Sequence, residues 1–123
     1  MGIDIYAHWR DQSAEDKAKQ SEAWLTIGAG GAGYLREAYH GEPYATKYLC
    51  AEAFETGNAH ISAAVMRERL PHTLALVEER ERKIYQAPED VIEEAKQNFR
   101  DFVALCEEKE KETGEPVLVI ASY

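Results

Sequence analysis

With 123 residues, 45% of them hydrophobic and 30% charged, the chain has the composition of an ordinary globular protein and is expected to form one domain over 1–123. A chain of this length buries roughly two-thirds of its unfolded surface without needing a disulfide or a metal. Its 23 acidic and 14 basic residues give a formal charge of -9, which argues against direct binding to nucleic acid or anionic lipid and favours a partner with a basic surface.

The acidity is spread along the chain, with 9 acids and 5 bases in residues 1–60 and 14 and 9 in residues 61–123. No apolar run of about 18 residues occurs, and no basic leader precedes an apolar stretch, so a cytoplasmic location is the expectation. Cys50 and Cys106 stand far apart, without zinc or redox spacing, and are expected to be buried free thiols.

The opening residues 3–9 alternate, with Ile3, Ile5, Ala7 and Trp9 on one side and Asp4, Tyr6 and His8 on the other, which predicts a half-buried strand. Ser13, followed by Glu15 and Asp16, reads as a cap opening a short polar surface helix that runs to about Gln20. Residues 23–27 then lead into the glycine run 28–33. Two strands joined by a glycine loop are one reading, while Tyr34 to Tyr39 also fit a helix ended by Gly41. A short helix is expected over 44–55, with Pro43 at its first position and Gly57-Asn58 as its stop.

From Ser62 the pattern is helical, and Pro71 predicts a division into helices over 62–70 and 71–86, because an interior proline costs a helix about 3 kcal/mol. The second is expected to turn Leu74, Val77, Ile84 and Tyr85 to the core, with Glu81 inside that stripe as a structural ion pair. Pro88, Glu89 and Asp90 open a further helix lasting to about Glu112. Its apolar members Val91, Ile92, Ala95, Phe99, Phe102, Val103 and Cys106 fill an arc about 120° wide, as in a helix packed on something flat. Val117 to Ala121 read as an interior strand. These parts predict an α+β fold: a small mixed or antiparallel sheet that includes the first and last strands, covered by the two long helices.

Several residue groups are candidates for function. Asp90, Glu94, Asp101, Glu108 and Glu112 form an acidic ridge on the last helix. That helix carries nine acids and four bases along about 36 Å, one net charge per roughly 7 Å, so it is a thin mimic of duplex DNA, which carries one per roughly 1.7 Å. Tyr34, Tyr39, Tyr44 and Tyr48, four of the seven tyrosines, form a segment suited to an interface if their rings are exposed. Asp4, Tyr6, His8, Arg36, Glu37 and His40 could share a pocket if the strands bearing them are neighbours. Gly28 to Gly33 match the G-x-G-x-x-G pattern of a dinucleotide loop, but the apolar strand leading in is short and no second βαβ unit follows, so a hairpin or loop role is favoured. His60 and His72 are expected at helix starts. No catalytic residue, no metal site and no cofactor is assigned.

The run Gly33 to Thr46 (Gly-Tyr-Leu-Arg-Glu-Ala-Tyr-His-Gly-Glu-Pro-Tyr-Ala-Thr), with Met1 to Ala7 before it and Arg67 to Pro71 after it, resembles a family of short uncharacterised proteins from bacteria and their phages. Members of that family open with a similar strand and close with a similar Ala-Ser-Tyr ending. The resemblance implies no activity and no catalytic residue, and the glycine loop is not part of it. The composition favours an acidic, non-enzymatic protein-binding module, carried by a phage or mobile element, that occupies a basic surface on a nucleic-acid-handling host complex, in the manner of anti-CRISPR or other anti-defence proteins. A small enzyme or ligand-binding domain using the pocket residues is the alternative, and dinucleotide binding at Gly28–Gly33 the third.

Overall fold

Residues 2–23 and 29–123 are described by the computed structural model. The alternation of the first residues produces strand β1 (Gly2–His8), with Ile3, Ile5 and Ala7 buried. Helix α1 (Ala14–Glu22) follows, capped by the Ser13 hydroxyl, which accepts a hydrogen bond from the Asp16 N–H. The expected strand over 23–27 is not seen at its first residue: Ala23 caps α1 in a helical conformation, and residues 24–27 lie outside the described residues. A 3-10 turn (Gly30–Ala32) leads into β2 (Tyr34–Ala38), which decides that segment as strand.

Two short helices, α2 (Ala45–Leu49) and α3 (Ala51–Thr56), replace the single helix expected over 44–55, because the backbone at Cys50 leaves helical geometry. Tyr44 is the residue before α2, so Pro43 lies outside the helix and does not fill its first position. Gly57 ends α3 at φ 88, a left-handed conformation that glycine adopts freely. The chain then enters a strand absent from the sequence reading, β3 (Asn58–Ile61).

Helix α4 (Ala63–Lys83) is continuous through Pro71, which corrects the expected division into two helices. Pro71 stands on the solvent side, where the carbonyl it leaves without a donor can meet water. The flanking Leu70 and Thr73 are buried on the core side and hold both halves in line. The same helix corrects the expected stripe: Ile84 and Tyr85 are 53% and 43% exposed, and the buried row is Met66, Leu70, Thr73, Val77 and Arg80. Helix α5 (Glu89–Thr113) matches its expected span closely and buries Ile92, Phe99, Phe102, Val103 and Cys106, while Val91 at the edge of the arc is exposed. Gly114 at φ 78 ends it, and β4 (Val117–Ser122) completes the fold.

The four strands lie in the order β2-β1-β4-β3, every neighbouring pair antiparallel. Ile5 sits opposite Leu35 on one side and Ala121 on the other, and Ala7 opposite Val119. Directly opposed residues share a face, so these side chains form one apolar surface. Onto it pack α4 and α5 as an antiparallel pair, shown by the linkages Lys96–Glu78 near their shared end and Arg67–Glu107 farther along. The fold is therefore α+β, an antiparallel sheet covered by two long helices.

Candidate ligand cleft

Successive strand residues point to opposite faces, so Arg36 and Glu37 part company on β2. Glu37 lies opposite Ile3 and thus beneath the helices, where a carboxylate must be paired and hydrogen-bonded. It is supplied from three directions. The backbone N–H groups of Ala45 and Thr46, the unsatisfied donors at the start of α2, each donate at 2.9 Å, and the Thr46 hydroxyl donates at 2.5 Å. The Arg80 guanidinium of α4 contacts the same carboxylate, and His40 Nε2 lies 3.4 Å from it. Arg80 also lies over the Tyr44 ring, 5.5 Å from its centre.

Beside this hub a cleft of about 440 Å³ opens between β2, the last turns of α4 and the first half of α5. Leu35, Val77, Ala95 and Phe99 give it an apolar floor, and His40, Arg80, Glu81 and Tyr85 reach it with polar groups. The His40 side chain is 3% exposed, and its Nδ1 atom has no hydrogen-bond partner among the described residues. Its ring stacks on Tyr44 at 4.6 Å and meets the Tyr85 ring edge-on at 6.3 Å. Partial burial pushes the Glu81 carboxyl above its ordinary pKa, opposed by the charges of Arg80 and His40. Among the described residues none donates a hydrogen bond to Glu81 or pairs with it, which corrects the expected ion pair. Burial likewise lowers the Arg80 pKa, against the influence of Tyr85 and Glu81.

Of the expected pocket residues, Glu37 and His40 meet here and the others do not. Asp4, Tyr6 and Arg36 gather on the opposite face of the sheet: the Tyr34 hydroxyl donates to Asp4 at 2.5 Å, Arg36 donates to the same oxygen at 2.8 Å, and the Tyr6 and Tyr34 rings lie 5.2 Å apart. Burial, reinforced by the Asp4 carboxylate, pushes the Tyr34 phenol up to about 12. His8 is at the other end of β1, where its Nδ1 pairs with Gln12 at 2.9 Å. The antiparallel register causes this separation, since it sets Gly2 against Ala38 and leaves His8 six residues farther along the strand.

The glycine run serves packing. Gly28 lies outside the described residues. A Cβ on Gly30 would stand 1.9 Å from the Asn98 carbonyl oxygen, so only glycine lets this turn touch α5. The turn continues into β2 and not into a helix, and so offers no helix N-terminus for a pyrophosphate.

On the outer face of α5, Asp90, Glu94 and Glu108 are exposed and form no ion pair among the described residues. Asp101 accepts from Gln97 at 2.9 Å, and Glu112 pairs with Lys109 at 3.1 Å. Other acids of the helix are matched, Glu93 by Arg100 and Glu107 by Arg67. The tyrosine segment is split: Tyr34 is buried and Tyr44 packs against the core, while Tyr39 and Tyr48 are exposed, the latter stacked on His72 at 4.4 Å. Neither histidine expected at a helix start is there, since His60 belongs to β3 and His72 lies inside α4. Cys50 and Cys106 are buried free thiols, with burial pushing Cys50 up to about 12.

The sequence reading missed Arg80. The signal was present, because Arg80 continues the buried row Met66, Leu70, Thr73, Val77 at helical spacing, and a base in such a row requires a buried acid. Among the described residues no group of three His, Cys, Asp or Glu could hold a metal ion, and no helix is long and apolar enough to cross a membrane. Comparison with protein-family models, with curated proteins and with solved structures finds no match to this chain.

Proposed function

We propose that this protein is a small-molecule-binding domain whose ligand occupies the cleft between β2, α4 and α5. The observation that carries this reading is the pairing of an apolar floor with polar groups left unanswered, above all the buried Nδ1 of His40. Folded proteins pair nearly all their buried polar atoms, so one left open beside a cleft of ligand size is accounted for by a ligand. The Glu37–Arg80 contact supplies the rigid wall against which that ligand would be oriented. The test is thermal unfolding in the presence of small aromatic and branched aliphatic compounds, which should raise the melting temperature as they bind. Ala95→Trp, which fills the cleft from α5, should abolish the rise. Absence of any rise, or its persistence in that variant, sinks the reading.

A second reading, an acidic module that occupies a basic surface on a host complex in the anti-defence manner, is favoured by the unpaired row Asp90, Glu94 and Glu108. Opposite-charge steering would make its association strongly salt-sensitive. An association with a basic partner that is unaffected by ionic strength and by Asp101→Lys with Glu108→Lys removes it.

A further inference from the structure

The polar groups of the cleft are of two kinds, and they are segregated. Arg80 is a donor without acceptor capacity, and of its five N–H groups only those facing Glu37 are engaged by a described acceptor. Glu81, the next residue of α4, is an acceptor that receives nothing from any described residue. His40 sides with Glu81. With its Nε2–H directed to the Glu37 carboxylate, the neutral ring presents Nδ1 as a second acceptor. One wall therefore offers a planar, charged donor, and the neighbouring position offers two acceptors, one of them a carboxylate.

The formal charges lining the cleft also cancel, Glu37 and Glu81 against Arg36 and Arg80. A ligand with net charge of either sign would leave an excess in a partly desolvated site, whereas a ligand carrying both signs would not. The floor of Leu35, Val77, Ala95 and Phe99 calls for an apolar body on the same molecule.

We infer that the cleft takes a zwitterionic amino acid with an apolar side chain, its carboxylate on Arg80, its ammonium on Glu81 and His40, and its side chain on the floor between α4 and α5. Arginine suits the first contact because its planar fork matches a carboxylate. The ammonium has three donors to divide between the Glu81 oxygens and His40 Nδ1. This inference rests on the cleft being a ligand site, and the experiment separates the two claims.

Titration calorimetry on the whole chain should compare L-phenylalanine with 3-phenylpropionate, which lacks the ammonium, with phenethylamine, which lacks the carboxylate, and with benzyl alcohol, which lacks both charges. Phenylalanine is expected to bind best, and loss of either charged group to weaken binding about tenfold or more. Glu81→Gln, a near-isosteric change at a half-exposed position, should weaken phenylalanine and phenethylamine and leave 3-phenylpropionate unchanged. If 3-phenylpropionate or phenethylamine binds as well as phenylalanine, or if Glu81→Gln affects all compounds alike, the zwitterion inference is overturned and the ligand cleft stands. If none of the compounds binds, benzyl alcohol included, both fall.

Discussion

Strand β2 carries two clusters of the same composition on its two faces, and their difference lies in water. Outward, Arg36 meets Asp4 and Tyr34 with its guanidinium about half exposed. Inward, Glu37 meets Arg80, His40 and Tyr44 beneath two helices, with both charged side chains over 90% buried. An exposed ion pair contributes little, because solvent screens it and both side chains lose freedom in forming it. A buried one contributes little net stability over an apolar pair either, yet removing one partner strands the other charge. The inner cluster is thus committed to one arrangement, and that commitment makes it a usable wall for a ligand. The outer cluster is free to rearrange.

The contrast is broken or sharpened first by Glu37→Ala. This variant strands Arg80 and leaves the N–H groups of Ala45 and Thr46 unanswered, so denaturant melts should show a loss of about 3–5 kcal/mol. A loss below about 1 kcal/mol would place the inner cluster in the same class as the outer one. Next in size is Gly30→Ala, which drives a Cβ into the Asn98 carbonyl and should cost about 1–3 kcal/mol by forcing α5 away from the turn at the cleft's rim. Amide exchange should rise around Asn98 in that variant.

Asp4→Asn tests the outer cluster and should cost no more than about 1 kcal/mol. Its clearer readout is spectroscopic. The Tyr34 phenol, held at about 12 by burial first and by Asp4 second, should titrate at a lower pH in the variant without reaching the ordinary value. A Tyr34 titration unmoved by the substitution would leave burial as its sole cause.

The smallest effect is the pH dependence at Glu81. Its carboxyl pKa is raised in the folded state, so the folded protein takes up that proton before the unfolded chain does. Its unfavourable contribution is present in full above the raised pKa and is removed as pH falls toward the ordinary carboxylate value. Glu81→Gln should therefore be more stable than the parent at neutral pH, by a margin that shrinks in mild acid. A constant margin across that range would mean the carboxyl is not desolvated.

Much of this architecture was legible in the sequence. The alternation of Ile3, Ile5 and Ala7, the arc from Val91 to Cys106 and the run from Val117 are strong periodic signals, and each led to the element observed. Pro71 misled because the penalty for an interior proline is local, while the packing of Leu70, Thr73 and Val77 on either side is not visible to a local rule. β3 was hidden by its length, since Asn58 to Ile61 show no alternation and form a strand through pairing with β4. The cleft was half legible. His40 and Glu37 were recognised, but their true partner Arg80 comes from 40 residues along the chain, and the register that sends Asp4 and Arg36 to the other face is set by tertiary pairing.

The most direct test of the central claim is amide chemical-shift mapping of the full chain during titration with indole, an uncharged aromatic probe. The account predicts saturable shifts centred on Val77, Glu81 and Phe99, with β3 and the outer face of α5 silent. Shifts confined to those silent regions, or none at millimolar probe, would contradict it.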